Sequence, residues 1–155
     1  SCLGLRRNSL LPWGSLRSPT DLVQVVMRRL TEMVRPDGRV LWISAGGVHD
    51  SLEQLTPLTR RVTRTGDVGV AYRDLEAAER VVRESGRSWL AVRPVPLVSG
   101  PPTGHAQPVD RYGLWSHIRR SDVAMWMLDV ADGTRRCDGP SVLLGASNTK
   151  PRDRA

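Results

Sequence analysis

The sequence predicts an α/β fold in which helices cross over between parallel strands. Short runs of consecutive apolar residues recur along the 155-residue chain, and segments with helical spacing lie between them. Continuous rather than alternating hydrophobicity is typical of a strand that is covered on both faces, as in a parallel sheet. Ligands of such sheets bind outside the carboxyl ends of the strands, so the loops that follow the strands are the candidate sites.

The composition favours one globular domain. Hydrophobic residues make up 39% of the chain and charged residues 25%, and a chain of this length buries roughly 68–70% of its unfolded surface. No apolar run approaches the ~18 residues of a membrane span. The two cysteines, Cys2 and Cys137, lack the spacing of metal ligands. We therefore expect a cytosolic protein with no membrane segment and no bound metal.

The net charge of +7 indicates an anionic partner without identifying it. Lys150 is the only lysine, and the arginines occur as scattered pairs such as Arg28-Arg29 and Arg60-Arg61. Nucleic-acid binding usually needs a basic patch with interleaved aromatic residues, so we expect no nucleic-acid partner. An anionic nucleotide uses the same charge equally well.

The first part of the chain predicts a loop, a helix and a strand. Residues 1–19 are interrupted by glycine and proline and are predicted to form a loop after a stub of strand. Helical spacing of apolar residues predicts a helix over residues 20–34, with Ser18 or Thr20 as its N-terminal cap. The apolar run over residues 39–44 predicts the first buried strand.

The rest of the chain repeats the alternation. After a predicted loop, a second helix is expected over residues 67–85 and a short buried strand over residues 89–92. The proline-rich segment 93–118 is predicted to be a long loop, of a length that usually serves a substrate or lid function. Ser121 and Asp122 begin a last helix, and residues 141–145 form the last strand.

Several stretches resemble a known family. Leu41–Val48 resembles the strand end that bears the active-site serine of short-chain dehydrogenase/reductases. Asp74–Arg80 and then Ser85–Pro94 resemble the atypical branch of that superfamily, which has an acidic helix, an SG dipeptide, a short strand and an RP dipeptide. Ile118–Ala124 is similar to a helix start of the same NAD(P)H-binding, flavin-reductase-like group, and Ser1–Gly4 to the end of its fourth strand.

The resemblance implies a Rossmann-like domain of which the first half is missing. No G-x-G-x-x-G phosphate loop occurs in the sequence. The Tyr-x-x-x-Lys pair is also missing, because Ala71 and Leu75 stand at its positions and Tyr72 is one place off. We therefore expect residues 1–146 to be the C-terminal half of an NAD(P)-binding domain. The tail 147–155 is expected to be flexible, and the chain to be an inactive fragment of a longer protein.

The resemblance also implies the site residues. Ser44 is the candidate catalytic residue, which would donate a hydrogen bond to a substrate carbonyl; the alternative is a turn serine. The residues expected to bind the cofactor are Gly4, Ser44, Ala45, Arg93, Pro94, Val95 and Leu97. For the Arg93 side chain, the alternative is an ion pair with an acidic residue at the strand end. Gly46 and Gly47 either allow a ligand to approach the backbone or form a turn.

The remaining polar and aromatic residues carry weaker signals. Tyr72 is expected to pack rather than to act as an acid. The histidines at 49, 105 and 117 are expected to be solvated. We predict that Trp42, Trp89 and Trp126 belong to the core and that Trp115 contacts substrate.

Two functions follow from the resemblance. The first is an NAD(P)-dependent oxidoreductase that moves hydride from NADPH or NADH to a small carbonyl or flavin-like acceptor. The alternative is a non-catalytic NAD(P)-binding sensor or regulatory protein of NmrA-like type. In both, the partners are a dinucleotide (NADP or NAD) and a small molecule, and a homodimer is left open.

Overall fold

A computed structural model describes residues 18–48, 60–61, 66–113, 115–137 and 139–146. The chain order of the elements is α1 (Leu22–Met33), β1 (Arg39–Ile43), α2 (Gly66–Glu84), β2 (Ser88–Pro94), β3 (Leu97–Val98), β4 (Ala106–Pro108), β5 (Ile118–Arg119), α3 (Arg120–Ala131) and β6 (Ser141–Ala146). Strands and helices alternate as the sequence predicts. The α/β class and the order of the predicted elements are confirmed.

The main sheet has the strand order β1-β2-β6-β4. β1, β2 and β6 are parallel, with Leu41 opposite Leu90 and Val92 opposite Val142. β4 runs antiparallel to β6. β1 is an edge strand, and its second edge has no partner among the residues that the structure describes.

The predicted loop over residues 93–118 is wrong in part. It contains β3, β4 and the start of β5, and β3 and β5 pair as a separate parallel two-stranded sheet. Strands of two or three residues show no hydrophobic period, and the prolines between them are typical of loops. The sequence pattern therefore misses them.

The N-terminus of α1 is capped by another helix. The prediction of Ser18 or Thr20 as the cap is wrong, because the N-cap residue is Asp21, which makes no side-chain capping bond. Instead, Asp74 of α2 accepts hydrogen bonds from the backbone N–H groups of Val23 at 2.9 Å and Gln24 at 3.0 Å. The first N–H groups of a helix have no partner within it, so Asp74 satisfies two of them and ties α2 to α1.

Two apolar clusters cover the two faces of the sheet. Alternate residues of a strand point to opposite faces. Val40 and Trp42 therefore pack with α1 and α2, while Leu41 and Ile43 pack against the cluster around α3. Trp42 and Trp126 are buried, and Trp89 is partly buried against the α1/α2 cluster. The predicted core role of these three tryptophans is confirmed.

Candidate ligand groove at the carboxyl end of the first strand

An apolar groove of about 710 Å³ lies beside the edge of β1 that has no strand partner in the described part of the chain. It is lined by residues from β1, β3 and the three helices α1 to α3, together with Ser44 after β1: Val23, Leu41, Ile43, Ser44, Ala71, Leu75, Leu97, Arg120, Val123, Ala124, Met127, Leu128 and Ala131. Val23 and Leu75 belong to the α1/α2 side of the sheet, whereas Leu41 belongs to the α3 side. The groove therefore reaches around the edge of β1. Ser44 and Arg120 are its polar residues.

Ser44 belongs to a buried polar cluster that also contains Glu79 and Arg93. The Ser44 hydroxyl donates a hydrogen bond to Glu79 Oε1 at 2.8 Å. Arg93 donates from Nε to Oε1 at 3.1 Å and from Nη2 to Oε2 at 2.7 Å. The Arg93 and Glu79 side chains are 3% and 0% exposed. A buried charge is costly unless it is paired, so each member of this cluster depends on the others.

Strand register and helix period bring the three residues together. Ser44 follows β1, and its backbone N–H donates to the Val92 carbonyl at 2.8 Å, which places it beside Arg93 on the next strand. Glu79 lies on α2 four residues after Leu75 and next to the buried Ala78, on the helix face that contacts the sheet. The cluster thereby fastens α2 to the carboxyl ends of β1 and β2.

The Arg93 side chain makes the ion pair that was the alternative to a ligand contact. Its Nε and Nη2 groups both point to Glu79. The assignment of Arg93 as a cofactor-binding residue stays a prediction. The catalytic assignment of Ser44 also stays a prediction, but the structure places Ser44 in the groove lining.

The turn after Ser44 is held by two tyrosines. The Gly46 carbonyl accepts hydrogen bonds from the hydroxyl groups of Tyr72 at 2.9 Å and Tyr112 at 2.8 Å. A Cβ atom on Gly46 would lie 2.6 Å from a ring carbon of Tyr112, and Gly47 has a φ of 95°. Close packing and a positive φ account for these glycines, as the turn interpretation requires. The Ala45 carbonyl accepts the Val48 N–H within the same turn.

Both tyrosines are held in the neutral form. Burial raises the pKa of Tyr72 above its ordinary value, and the nearby Tyr112 hydroxyl offsets this in part. Burial also raises the pKa of Tyr112, and the neighbouring Tyr72 raises it further. A phenol of raised pKa that already donates to a carbonyl is a poor proton donor near neutral pH. This agrees with the expected packing role of Tyr72.

The backbone of the segment after β2 is largely engaged within the protein. The Val95 N–H donates to the Leu144 carbonyl at 2.9 Å, and the Pro96 carbonyl accepts the Ile118 N–H at 3.0 Å. The Pro94 carbonyl lies 3.5 Å from the Gly46 nitrogen. Leu97 lines the groove. The cofactor-binding assignments of Ala45, Pro94, Val95 and Leu97 stay predictions.

Asp122, in the first turn of α3, anchors the proline-rich segment. It is 2% exposed and accepts hydrogen bonds from the Thr103 N–H, the Thr103 hydroxyl and the Gly104 N–H, at 2.6, 2.7 and 2.8 Å. Burial alone would raise the pKa of Asp122, but these bonds and the charge of Arg119 together hold it below its ordinary value.

Other predicted residues lie away from the groove. Trp115 is 92% exposed and lines a second cavity, of about 410 Å³, with Tyr112 and His117. His117 Nδ1 lies 3.1 Å from the Trp115 carbonyl oxygen, and His105 is exposed. Gly4 and His49 lie outside the described residues.

Neither a cluster of metal ligands nor a membrane-spanning helix occurs in the described part of the chain. Among the described residues, no three or more histidine, cysteine or carboxylate side chains come together in a way that could hold a metal ion. No helix in the same part of the chain is both long and apolar enough to cross a membrane.

Residues 19–134 match the model of a family described as NAD(P)H-binding, and this range covers well over half of the chain. The chain belongs to the NAD(P)H-binding family. The match extends from the residues before α1 to those after α3 and includes the groove. The NAD(P)H-binding character that the resemblance implies is thereby confirmed. A comparison with curated proteins finds no match.

Solved structures share the fold of this NAD(P)H-binding chain. ChuY, an anaerobilin reductase from Escherichia coli O157:H7, is similar with a TM-score of 0.62 and 21% identity, over 83% of this chain and 61% of that one. SP1627 from Streptococcus pneumoniae TIGR4, of NADH-flavin reductase type, has a TM-score of 0.63 and 14% identity, over 90% of this chain and 69% of that one. A short-chain dehydrogenase/reductase from Veillonella parvula DSM 2008, in complex with NADP, has a TM-score of 0.59 and 15% identity, over 84% of this chain and 59% of that one. The chain thus spans 59% to 69% of the length of these neighbours.

Sequence reasoning missed the residues that organise the groove. Glu79 and Asp74 both lie on the face of α2 that the apolar period marks as buried, since Leu75 and Ala78 lie between them. A carboxylate at such a position needs a partner, and that signal was available. Tyr112 carried no comparable signal, because it stands in a segment without a hydrophobic period.

Proposed function

We propose that this chain forms the nicotinamide-facing and acceptor-facing part of an NAD(P)H-dependent reductase. The observation that supports it best is the groove with Ser44 at the carboxyl end of β1, in a chain whose residues 19–134 match an NAD(P)H-binding family. Ligands of open α/β sheets bind at that end of the strands.

The groove fits the nicotinamide end of a dinucleotide. Its lining is apolar apart from Ser44 and Arg120, which suits a flat ring with one polar substituent and an uncharged acceptor beside it. The sequence has no G-x-G-x-x-G, so the proposal assigns no residue of this chain to the pyrophosphate. When bound, the cofactor supplies the hydride.

Residues of the chain itself bind and orient the ligand and exclude water. Ser44 contacts the ligand and orients it, while Glu79 and Arg93 position Ser44. Leu75, Leu97 and the other apolar residues that line the groove keep water from the reacting groups. The proton that completes the reduction comes from solvent, because Tyr72 donates to the Gly46 carbonyl and its pKa is raised.

The reductase class draws support from the neighbours. An anaerobilin reductase and a protein of NADH-flavin reductase type share the fold. Both descriptions name reductases, but their acceptors differ. A panel of flavins, anaerobilin and small carbonyls therefore covers the acceptors that the comparison and the sequence suggest.

The test is binding and turnover by the full chain. We expect NADPH or NADH to quench tryptophan fluorescence saturably. We also expect at least one acceptor to accelerate cofactor oxidation, in contrast to the inactivity that the resemblance implies for this chain. Ser44→Ala is expected to lower kcat/KM about 3- to 10-fold, which corresponds to the loss of one hydrogen bond. The matched control is Ser85→Ala, because Ser85 follows α2, near the start of β2 and remote from the groove.

Two outcomes contradict the proposal in different ways. Saturable binding without oxidation by any acceptor would overturn the reductase and favour the non-catalytic sensor. Binding of neither NADPH nor NADH would overturn the dinucleotide site itself.

A further inference from the structure

We propose that Ser44 binds its ligand as a hydrogen-bond acceptor, so that the ligand group against it carries an N–H or O–H. This inference rests on the proposed function and specifies the chemistry that the groove selects. It reverses the polarity expected from the sequence, in which Ser44 donates to a carbonyl.

The Ser44 hydroxyl has one hydrogen, and the structure uses it. A serine hydroxyl is one donor and two acceptor lone pairs. That hydrogen is donated to Glu79 Oε1 at 2.8 Å. Glu79 cannot return a hydrogen, because a carboxylate held by two bonds from Arg93 accepts only. The lone pairs of the Ser44 oxygen are what remains for a ligand in the groove.

Glu79 is fixed in its acceptor role. It is fully buried, and both of its oxygens are engaged by Arg93 at 3.1 and 2.7 Å. Moving the carboxylate would break an ion pair in a region without solvent. The backbone of Ser44 is also fixed, because its N–H donates to the Val92 carbonyl. Rotation of the hydroxyl is therefore the one adjustment open to this pair.

That rotation is unfavourable for a neutral ligand. A hydrogen bond to a charged acceptor is roughly twice as strong as one between neutral groups. To donate to a ligand carbonyl, Ser44 would exchange the stronger bond to Glu79 for a weaker one. A ligand N–H or O–H instead adds a bond to Ser44 while the bond to Glu79 remains.

Two sources offer this chemistry in a reductase. One is the amide N–H of the carboxamide on the nicotinamide ring, and the other is the hydroxyl of an alcohol product. Both would donate to Ser44, and both are uncharged, as the apolar lining requires. A carbonyl oxygen at the same point would form no hydrogen bond with Ser44, because both oxygens would then be acceptors.

The test uses three small pyridines that differ in one substituent. Nicotinamide carries a carboxamide with an N–H, acetylpyridine carries a carbonyl with a methyl group, and pyridylcarbinol carries an alcohol. Each is titrated into the full chain while the backbone amide signals of Ser44 and Gly46 are followed by NMR. We expect nicotinamide or pyridylcarbinol to bind about 3- to 10-fold more tightly than acetylpyridine. Ser44→Ala should remove the difference, and Ser85→Ala should keep it.

Each outcome of the titrations leads to a different conclusion about Ser44 and its ligand. Equal or tighter binding of acetylpyridine to the wild-type chain overturns the inference without any variant, and so does a preference that survives in Ser44→Ala. A preference for nicotinamide identifies the carboxamide as the source, and one for pyridylcarbinol identifies the product hydroxyl. Because the pyridines carry no phosphate, a donor preference in a chain that binds neither NADPH nor NADH would overturn the proposed function and leave the polarity of Ser44 in place.

Discussion

The two faces of the sheet are stabilised in different ways. On the α1/α2 face, two buried carboxylates of one helix hold distant parts of the chain, Asp74 the start of α1 and Glu79 the ends of β1 and β2. On the α3 face, the larger apolar cluster supplies the burial, and Asp122 lies at the end of the helix rather than over the strands. Part of α3 is open, since Leu128 is 66% exposed.

The two faces therefore contribute differently: one fixes the positions of particular atoms, and the other supplies buried apolar surface. Apolar contact has no direction, so the α3 cluster can stabilise the sheet without fixing the position of any one atom. Hydrogen bonds to a buried carboxylate have direction and are costly to break. The α1/α2 face therefore sets where Ser44 lies and which way its hydroxyl points, and α3 contributes an apolar wall to the groove.

Removal of Glu79 should have the largest effect. Glu79→Ala removes the carboxylate that pairs with the buried Arg93 guanidinium, and we expect the free energy of unfolding to fall by about 3–5 kcal/mol. Urea denaturation measures it. The control on the same helix is Glu84→Ala at an exposed position, expected to stay within about 0.5 kcal/mol.

A double variant sharpens this test. Glu79→Leu with Arg93→Met replaces the ion pair by apolar groups and should recover most of the lost free energy of unfolding. If the double variant is as unstable as Glu79→Ala, the polar pair is not what makes the single variant unstable.

Removal of Asp122 should have the next largest effect, and it should depend on pH. Asp122→Ala removes three accepted hydrogen bonds, and we expect a loss of about 1.5–3 kcal/mol near neutral pH. The pKa of Asp122 is lowered in the folded chain. Its contribution is therefore complete above the unfolded pKa of about 4, and it is lost as the pH falls through the lower folded value.

Unfolding free energies of wild type and Asp122→Ala between neutral and acidic pH measure this effect. The unfolding free energies of wild type and Asp122→Ala should approach each other as the pH falls. Asp110→Ala is the control, because Asp110 is an exposed carboxylate in the same segment, and its difference from wild type should not change in this way. A difference that stays constant down to strongly acidic pH would contradict the role of the ionised carboxylate.

Removal of Asp74 should have a smaller and local effect. Asp74→Ala deprives α1 of its cap, and we expect a loss of about 1 kcal/mol. Hydrogen exchange at the Val23 and Gln24 amides should accelerate while that of β2 is unchanged. Asp21→Ala is the matched control, since Asp21 makes no side-chain capping bond. An equal effect of the two variants would show that Asp74 does not act as the cap.

The smallest effect is expected on the open side of α3. Leu128→Gln should change the free energy of unfolding by less than about 0.5 kcal/mol, because the side chain is largely exposed. Val123→Ala on the same helix, where the side chain is 1% exposed, should cost roughly 1.5 kcal/mol. If Leu128→Gln lowers the free energy of unfolding as much as Val123→Ala does, this side of α3 is covered. The difference between the α1/α2 face and the α3 face would then disappear.

Local sequence patterns account for most of the framework. The helices begin and end within a few residues of their predicted bounds, because the apolar period and the Gly and Pro breaks lie within each segment. The short strands β3, β4 and β5 could not be predicted, because they depend on pairing with distant residues. The candidate site shows the same division. The resemblance in sequence suggested Ser44 as a candidate, but it did not suggest Glu79, which accepts the hydrogen of the Ser44 hydroxyl.

The sequence by itself determined the α/β class, the order of the elements and the burial of Trp42 and Trp126, because each of these follows from hydrophobicity within a short window. Only the tertiary structure decided which polar groups meet. Ser44 and Glu79 are separated by 35 residues, Arg93 and Glu79 by 14, and Val23 and Asp74 by 51. A hydrogen bond acts over about 3 Å, so such partners are chosen by the packing of helix on sheet, which no local pattern records.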